Sequence, residues 1–498
     1  MRNILSKKPW AVPLPGADGT PLVTKEFTQD DFIRQYYPSA HKIFDPAYYP
    51  DIYRSIADPV YDADGNETGE TVTHIYKEVV PRFAFAFQQI ITLKQLVHLT
   101  GHDIQFDLNT PTEDPAAKTN YQTILDGWLD KGMNHLFYDF AKSVKITGDS
   151  ALVAYMENGK FGATVLSFLE GDKLYPHYGR DGKLAVFARR YTDYDAEGNP
   201  VEYVEVWDKT HLHRLRSASS TDINPVPITF GQGADTYRIE GFVYASPEGA
   251  RVHGFKEVPV VYLRDNNGPC WAPSQNSSDE FEIAFSQMAH NNKAFGEPIL
   301  YLQGDNVSAD HDINGTIKIL TGGPDDKFGY LEGQSASESY MKELDDLHDR
   351  IYEQSFIVKP PQLKSGDLPA AALRILYSPA VEKAMNDTQF FNPALQGMKR
   401  LFLYGYGLEK EKTIDFASLP ILVWIKPYTH VVESAVMADL AIGIQNKFVS
   451  RKTASERASF YTMSNEAQRL AEEAKADERA DILAQYEAAR YQEEINNE

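Results

Sequence analysis

Residues 335–373 read SASESYMKELDDLHDRIYEQSFIVKPPQLKSGDLPAAAL: an acidic helical pattern, a proline-broken loop and the opening of a second helix. Ser335 and Glu338 have capping-box spacing, so amides of a first turn find acceptors and the helix has a marked start. Tyr340, Leu344, Leu347 and Ile351 recur at intervals of four, three and four, giving one apolar stripe, while Glu343, Asp345, Asp346, Asp349 and Glu353 fall largely on other faces. One side packs and another meets water. Pro360 and Pro361 cannot continue this helix, and Asp367 with Pro369 has the form of a new N-cap with proline in the first turn. Beyond the stiffened loop, Leu373, Leu376, Val381, Met385, Phe391, Leu395, Met398 and Phe402 predict a long second helix that Pro379 and Pro393 bend or interrupt. Long bent helices are packing elements, and no catalytic motif lies among them.

Upstream, SSDEFEIAFSQMAHNNKAFGEPIL opens at Ser277, where Ser277 and Glu280 suit a second capping box and Phe281, Phe285 and Met288 share a helical side. A small β-like insert follows, from Ile299 to Gly333, so the central unit reads helix, insert, helix. The first half is punctuated by GADGT around Asp18, DADGNE around Asp64, GRDGK around Asp181 and DAEGNP around Gly198, which favour chain reversal and predict hairpin tips. Between them LAVFARRYTDY, VEYVEVW, DTYRIEGFVYA and VPVVYL have strand composition. Helices are expected near Phe83 to Leu99 and near Tyr121 to Thr147, giving an α+β domain ending near Pro273. TIDFASLPILVWIKPY predicts one or two strands returning to that domain. From Thr429 the chain reads as helical, with Ser464 as a cap; its Ala-, Glu- and Arg-rich tail suits either a solvated helix or partial disorder. There is no internal repeat.

A chain of 498 residues with 42% hydrophobic content predicts two to four folded modules. The net charge of −22 opposes adhesion to nucleic acid or anionic membrane, which requires clustered Lys and Arg, so a conventional DNA-binding domain is not expected. With Cys270 the only cysteine, no intramolecular disulfide and no cysteine-based zinc site can form. Neither a long apolar run nor a signal-peptide core is evident, so folding in the cytoplasm without membrane insertion is the expectation.

KITGDSALVAY at Lys145 to Tyr155, the helix opening SSDEFEIAF, and LDDLHDRIYEQSFIVKPPQLKSGDLPAAAL at Leu344 to Leu373 occur in an order that resembles the portal, or head-to-tail connector, protein of tailed double-stranded DNA bacteriophages of the siphophage-like branch. The C-terminal spacing of Gly443, Ser450, Thr453 and Glu466 resembles it as well. The resemblance runs from about Phe83 onward; residues 1–80 match nothing in it. It implies an α+β portal fold: a β-rich and helical wing over 1–275, stem helices over 276–296 and 335–357, a clip over 297–334 and a channel loop over 358–368. A wing helix with strands over 369–428 and a helical crown over 429–498 complete it. It further implies a structural subunit without enzymatic activity or cofactor, twelve copies of which ring the DNA conduit at one capsid vertex of the virion for packaging and ejection. Its partners would be further copies of itself, the large terminase subunit, a neck or head-completion adaptor, the major capsid and scaffolding proteins, and double-stranded DNA passing without sequence specificity, after assembly in the bacterial host cytoplasm.

On that reading Glu343, Asp345, Asp346 and Asp349 would face the lumen and repel phosphates at close range, and Lys359 and Lys364 would make transient phosphate contacts. A solvated helix face and ordinary loop lysines explain the same residues. The Pro360-Pro361 pair departs from a freely flexible channel loop. Asp310, Asp312, Asn314, Asp325, Asp326 and Lys327 would present the clip to its partners. Asp310, Asp312, Asn314 and Gly315 also open like a calcium loop, but Thr321 stands where a bidentate Glu is needed, so a polar turn is the simpler account. His211 and His213 share a strand face without an evident third metal ligand. Tyr36-Tyr37 and Tyr48-Tyr49 suit subunit contacts better than base stacking. No nucleotide-binding P-loop and no zincin or serine-hydrolase motif is present. Two other readings stay open: a carboxylate-dependent hydrolase on the β-rich first half, drawing on its many Asp, Glu, Tyr and Trp residues, and a monomeric binding module with a helical tail.

Overall fold

The computed structural model describes residues 2–14, 23–61, 67–108, 115–195, 197–219, 237–246, 249–296, 299–303, 308–311, 317–321, 327–331, 337–359, 372, 375–411, 416, 419–429, 433–450, 454 and 474–475. In chain order the elements begin with β1 (Arg2–Asn3), β2 (Trp10–Leu14), β3 (Val23–Phe27), α1 (Gln29–Tyr36), β4 (Ile52–Tyr61), β5 (Glu67–Glu78), α2 (Phe87–Thr100) and β6 (Gln105–Leu108). Next come α3 (Pro115–Asp130), α4 (Met133–Thr147), β7 (Asp149–Glu157), β8 (Lys160–Leu166), β9 (Lys173–Tyr178), β10 (Leu184–Tyr194), β11 (Pro200–Trp207) and β12 (His211–Ser217). They are followed by β13 (Tyr237–Arg238), β14 (Phe242–Tyr244), β15 (Arg251–Val252), β16 (Val260–Arg264), α5 (Gln275–Gly296), β17 (Ile299–Gln303), β18 (Ser308–His311), β19 (Ile317–Thr321) and β20 (Lys327–Leu331). The last are α6 (Ser337–Gln354), α7 (Ser378–Glu409), β21 (Ile421–Trp424) and α8 (Glu433–Gln445). Helix and sheet are thus mixed along the chain, as expected. Two compact units result: Met1–Pro360 with Pro379–Tyr428, and Pro361–Ser378 with Thr429–Glu498.

In the first unit, β9, β10, β11, β12 and β14 form an antiparallel sheet to which β15 adds beside β12, and β16, β7 and β8 form a second sheet. GRDGK and DAEGNP connect paired strands as expected, with Gly182 and Gly198 in the left-handed conformation that such reversals demand. GADGT and all of DADGNE except Glu67 lie outside the described residues, but the strands flanking them pair antiparallel. The returning strand expected near Ile421 is β21, which pairs with β6. Helices α2, α3, α4 and α7 enclose one core in which Trp128, Phe137, Phe140, Phe391, Leu395, Met398 and Phe402 are buried. Pro393 sits inside the uninterrupted α7, while Pro379 falls in its first turn, where a missing amide costs nothing. The insert after α5 consists of two antiparallel pairs, β17 with β20 and β18 with β19.

Two local expectations fail. Helix α5 starts at Gln275, preceded by a short 3-10 turn at Ala272–Ser274, so Ser277 and Glu280 lie inside the helix and form no capping box. The Ser278 hydroxyl instead donates to the Ser274 carbonyl, and Ser277 Oγ donates to Gln354 Oε1 of α6 at 3.2 Å. The helix expected from Phe83 begins only at Phe87. Residues 83–86 stay outside the helix, and α5 takes up two of their amides: Phe83 N–H donates to Ser286 Oγ at 3.1 Å and Phe85 N–H to Glu282 Oε1 at 2.8 Å.

In the second unit, Leu440 of α8 and Ala454 are buried together, with Val436, Ile444 and Val449 packed against them. Ser464 and most of the tail lie outside the described residues.

Candidate functional site

Helices α5 and α6 come together through the stripe read from sequence. Leu344 and Ile351 are buried and Leu347 partly so, against Phe281, Ala284, Phe285 and Met288 of α5 and against Phe87 and Ile91 of α2. Aromatic rings fix the approach: Phe281 meets Phe87 edge-on at 5.1 Å, and His348 lies 4.6 Å from the ring of Tyr352. Burial, then the Lys359 ammonium, hold the His348 imidazole below its usual pKa. Each fully buried aliphatic side chain here contributes about 1.5–3 kcal/mol.

Glu343, Asp345, Asp346 and Asp349 are all exposed. At about 100° per residue, Asp345, Asp349, Asp346 and Glu343 follow one another around an arc of about 160° of α6, with Lys342 and Arg350 among them. The four carboxylates therefore spread over a broad face interrupted by two cations. Lys359 folds back along the helix and its Nζ lies 3.3 Å from Asp349 Oδ1, both groups being half in solvent. One carboxylate and one loop lysine thus screen each other. Lys364 lies outside the described residues, as do Asp312, Asn314, Asp325 and Asp326. Asp310 and Lys327 are placed by backbone alone, in β18 and β20. Asp310 and Thr321 stand on strands that pair with each other, the setting of a hairpin rather than a helix-flanked calcium loop.

Sequence reading missed how residues 28–51 buttress this site. Thr28 and Asp31 cap α1 reciprocally, a signal that was present in the sequence. Beyond α1, His41 Nδ1 meets Glu282 Oε1 at 2.6 Å, Lys42 pairs with Asp279, and Trp271 Nε1 donates to Gln35 Oε1 at 3.0 Å. Tyr36 stacks on Trp271. Burial, followed by the charges of Asp279, Glu280 and Glu282, pushes the Tyr48 phenol up to about 12.

A second network was equally hidden. Lys145 Nζ, buried in α4, donates to Asp387 Oδ2 of α7 at 2.6 Å and to Gln95 Oε1 of α2 at 2.9 Å. Gln95 Nε2 in turn donates to the Ser355 carbonyl just past α6, at 2.9 Å. The chain before Pro360 and the helix beginning at Ser378 are thereby tied to the same two side chains.

His211 and His213 do share a face of β12, with ring centroids 6.1 Å apart. Asp208 gathers them: its Oδ2 lies 3.2 Å from His213 Nε2 and its Oδ1 accepts from the amides of Thr210 and His211. Among the described residues no group of His, Cys, Asp or Glu is arranged to hold a metal ion. Two carboxylates of the β-rich half are held by the fold: buried Asp149 accepts from Gln29, Tyr262 and Lys7, and half-buried Glu205 lies between Arg189 and Arg214. No helix among the described residues is long and apolar enough to cross a membrane.

No curated protein matches the chain. Among solved structures it is similar to a chain of the virion of a native gene transfer agent particle, at 12% identity and a TM-score of 0.37, over 75% of this chain and 89% of that one. It is also similar to chains of the neck of the native particle computed with C12 symmetry (12% identity, TM-score 0.38, 75% and 89%) and of the neck of the empty particle computed with C6 symmetry (12%, 0.35, 75% and 88%). The family model for phage portal proteins of the SPP1 Gp6-like type matches residues 24–480, and the chain belongs to that family.

Proposed function

We propose that the protein is the structural subunit of a ring at one capsid vertex, with α5 and α6 as the wall of the conduit through which double-stranded DNA is packaged and ejected. Family membership over residues 24–480 carries this reading. The acidic flank of α6 supports it: a polyanion slides without deep binding wells where carboxylates repel its phosphates, and Asp345, Asp346 and Asp349 stand exposed on one side of a helix whose other side is packed. Screening confines this repulsion to about 8 Å in physiological salt, so it acts only in a narrow bore. The strand insert between α5 and α6 is the docking clip for the large terminase subunit and later the neck adaptor. The ring of about twelve copies sits in the virion among capsid and scaffolding proteins, after assembly in the host cytoplasm.

Native mass spectrometry and negative-stain microscopy of the purified full chain test the ring; monomers at every concentration and salt would end the proposal. Replacing Asp345, Asp346 and Asp349 together by Asn tests the wall. Rings should form as before, since exposed substitutions shift stability by no more than about 0.5 kcal/mol each, while packaging in a complementation assay should change. Unaltered packaging would remove α6 from the lumen.

A further inference from the structure

β4 and β5 form a ribbon of 10 and 12 residues that pairs only with itself among the described residues. Its base is fixed, because Asp51 binds Arg82 at 2.8 Å and Lys77 at 3.0 Å and Val80 is buried. Its length is not. Every residue from Thr71 to Lys77 is exposed, so both faces are open: Tyr53 (65% exposed) and Ile75 (71%) on one, Val72 and Tyr76 on the other. A two-stranded ribbon is at best marginally stable in water, and one that presents apolar side chains on both faces and free backbone edges needs a partner.

Helix α2 shows a second unpartnered surface. Its inner residues Phe87, Ile91, Leu96 and Leu99 are buried, yet Ile90, Leu93 (56% exposed) and Val97 form an outward stripe at helical spacing. A helix apolar on both sides is a buried helix. Charge says what covers these surfaces. In a chain with 71 acidic residues and a net charge of −22, α2 holds no acid and one exposed lysine, Lys94, whereas β4 and β5 together hold Asp58, Glu67, Glu70 and Glu78 against Arg54 and Lys77. Copies that repel one another elsewhere can approach where the acidic ribbon of one meets the acid-free helix of the next. A closed ring also needs two different patches, one on each flank of the subunit, because its contacts are head-to-tail.

We propose that the β4–β5 ribbon is an arm that lies, in the assembled ring, on the outer stripe of α2 of the neighbouring copy. This rests on the ring reading above. The test uses the full chain. Tyr53→Glu with Ile75→Glu places two charges on the arm, at positions whose exposure leaves the subunit fold intact by circular dichroism. The midpoint concentration for ring formation should rise about tenfold or more. Separately, Ile75→Cys with Leu93→Cys in a Cys270→Ser background should give, on mild oxidation, a ladder of covalent oligomers, and neither single variant should. An unchanged midpoint overturns the arm, including when the variant rings then fail to enter capsids, which would assign the ribbon to a capsid partner. Rings lost without any cross-link overturn the pairing with α2. Failure of the unmodified protein to form rings would instead sink the reading on which the arm rests.

Discussion

Lys145 and Asp387 set up two substitutions of unequal cost. Lys145 Nζ is almost wholly buried and has two partners, Asp387 Oδ2 at 2.6 Å and Gln95 Oε1 at 2.9 Å. Asp387 has a further cation, Lys383 Nζ, 2.5 Å from Oδ1. Asp387→Leu therefore leaves an ammonium in the interior with one neutral amide oxygen, a situation that costs about 3–5 kcal/mol. Lys145→Met leaves the carboxylate still paired with Lys383 and strands only the neutral Gln95 oxygen, so its cost is that of one lost bond to a charged group together with one unmet amide oxygen, about 2–4 kcal/mol. The double variant removes both buried charges and fills their volume with apolar atoms, while Lys383, partly exposed, reaches water; its cost should be far below the sum of the singles. Equilibrium unfolding in denaturant at one fixed protein concentration, followed by far-UV circular dichroism, measures all three, the fixed concentration keeping the contribution of assembly constant. Hydrogen exchange supplies a local readout: because Gln95 bridges the network to the Ser355 carbonyl, Asp387→Leu should speed exchange at the end of α6 more than at its start. Equal costs for the two single changes, or additivity within about 0.5 kcal/mol, would refute the account.

Two further outcomes follow from single sites. Gly148 has φ of 80°, and a Cβ there would lie 2.9 Å from the Trp10 ring, so Gly148→Ala should cost about 1–3 kcal/mol and shift tryptophan fluorescence to the red; an unchanged melting temperature would show that the N-terminal segment yields freely. Burial raises the Asp172 carboxyl from 3.8 to about 6, against the pull of Arg189. The folded state then holds this proton more tightly than the unfolded one, so the associated stability is present in full below about pH 4 and lost as pH rises to about 6, at about 1.4 kcal/mol per unit. Asp172→Asn should match the unmodified protein at pH 4 and exceed it above pH 6; a parallel pair of pH–stability curves would contradict the assignment.

What the sequence made legible, and what it did not, divides by the range of the forces involved. The stripe Leu344, Leu347, Ile351 was readable because helical periodicity is a local pattern that burial must respect, and α6 buries those residues. Strand pairs were readable where a polar turn sets them, as at Asp181 and Gly198. The start of α5 was misread because Ser277 has capping chemistry, yet its neighbour Ser278 spends its hydroxyl on the Ser274 carbonyl within a helix already under way. The helical expectation from Phe83 fails over residues 83–86 because Phe83, Phe85 and Phe87 do not follow helical spacing. They alternate by two, and Phe83 and Phe85 stay out of the helix with their amides accepted by Ser286 and Glu282, 203 and 197 positions away. The Lys145–Asp387 pair spans 242 positions and leaves no local mark. The exposed carboxylates of α6 and the bare apolar ribbon fall in a third class. Their residues are plain in the sequence, but a polar face opposite a packed stripe looks the same whether it meets water or DNA, and an apolar ribbon looks the same whether its own chain or a second copy covers it. Function in a ring resides in what one subunit leaves uncovered, and the uncovered surface becomes visible only after the subunit's own core has been assigned.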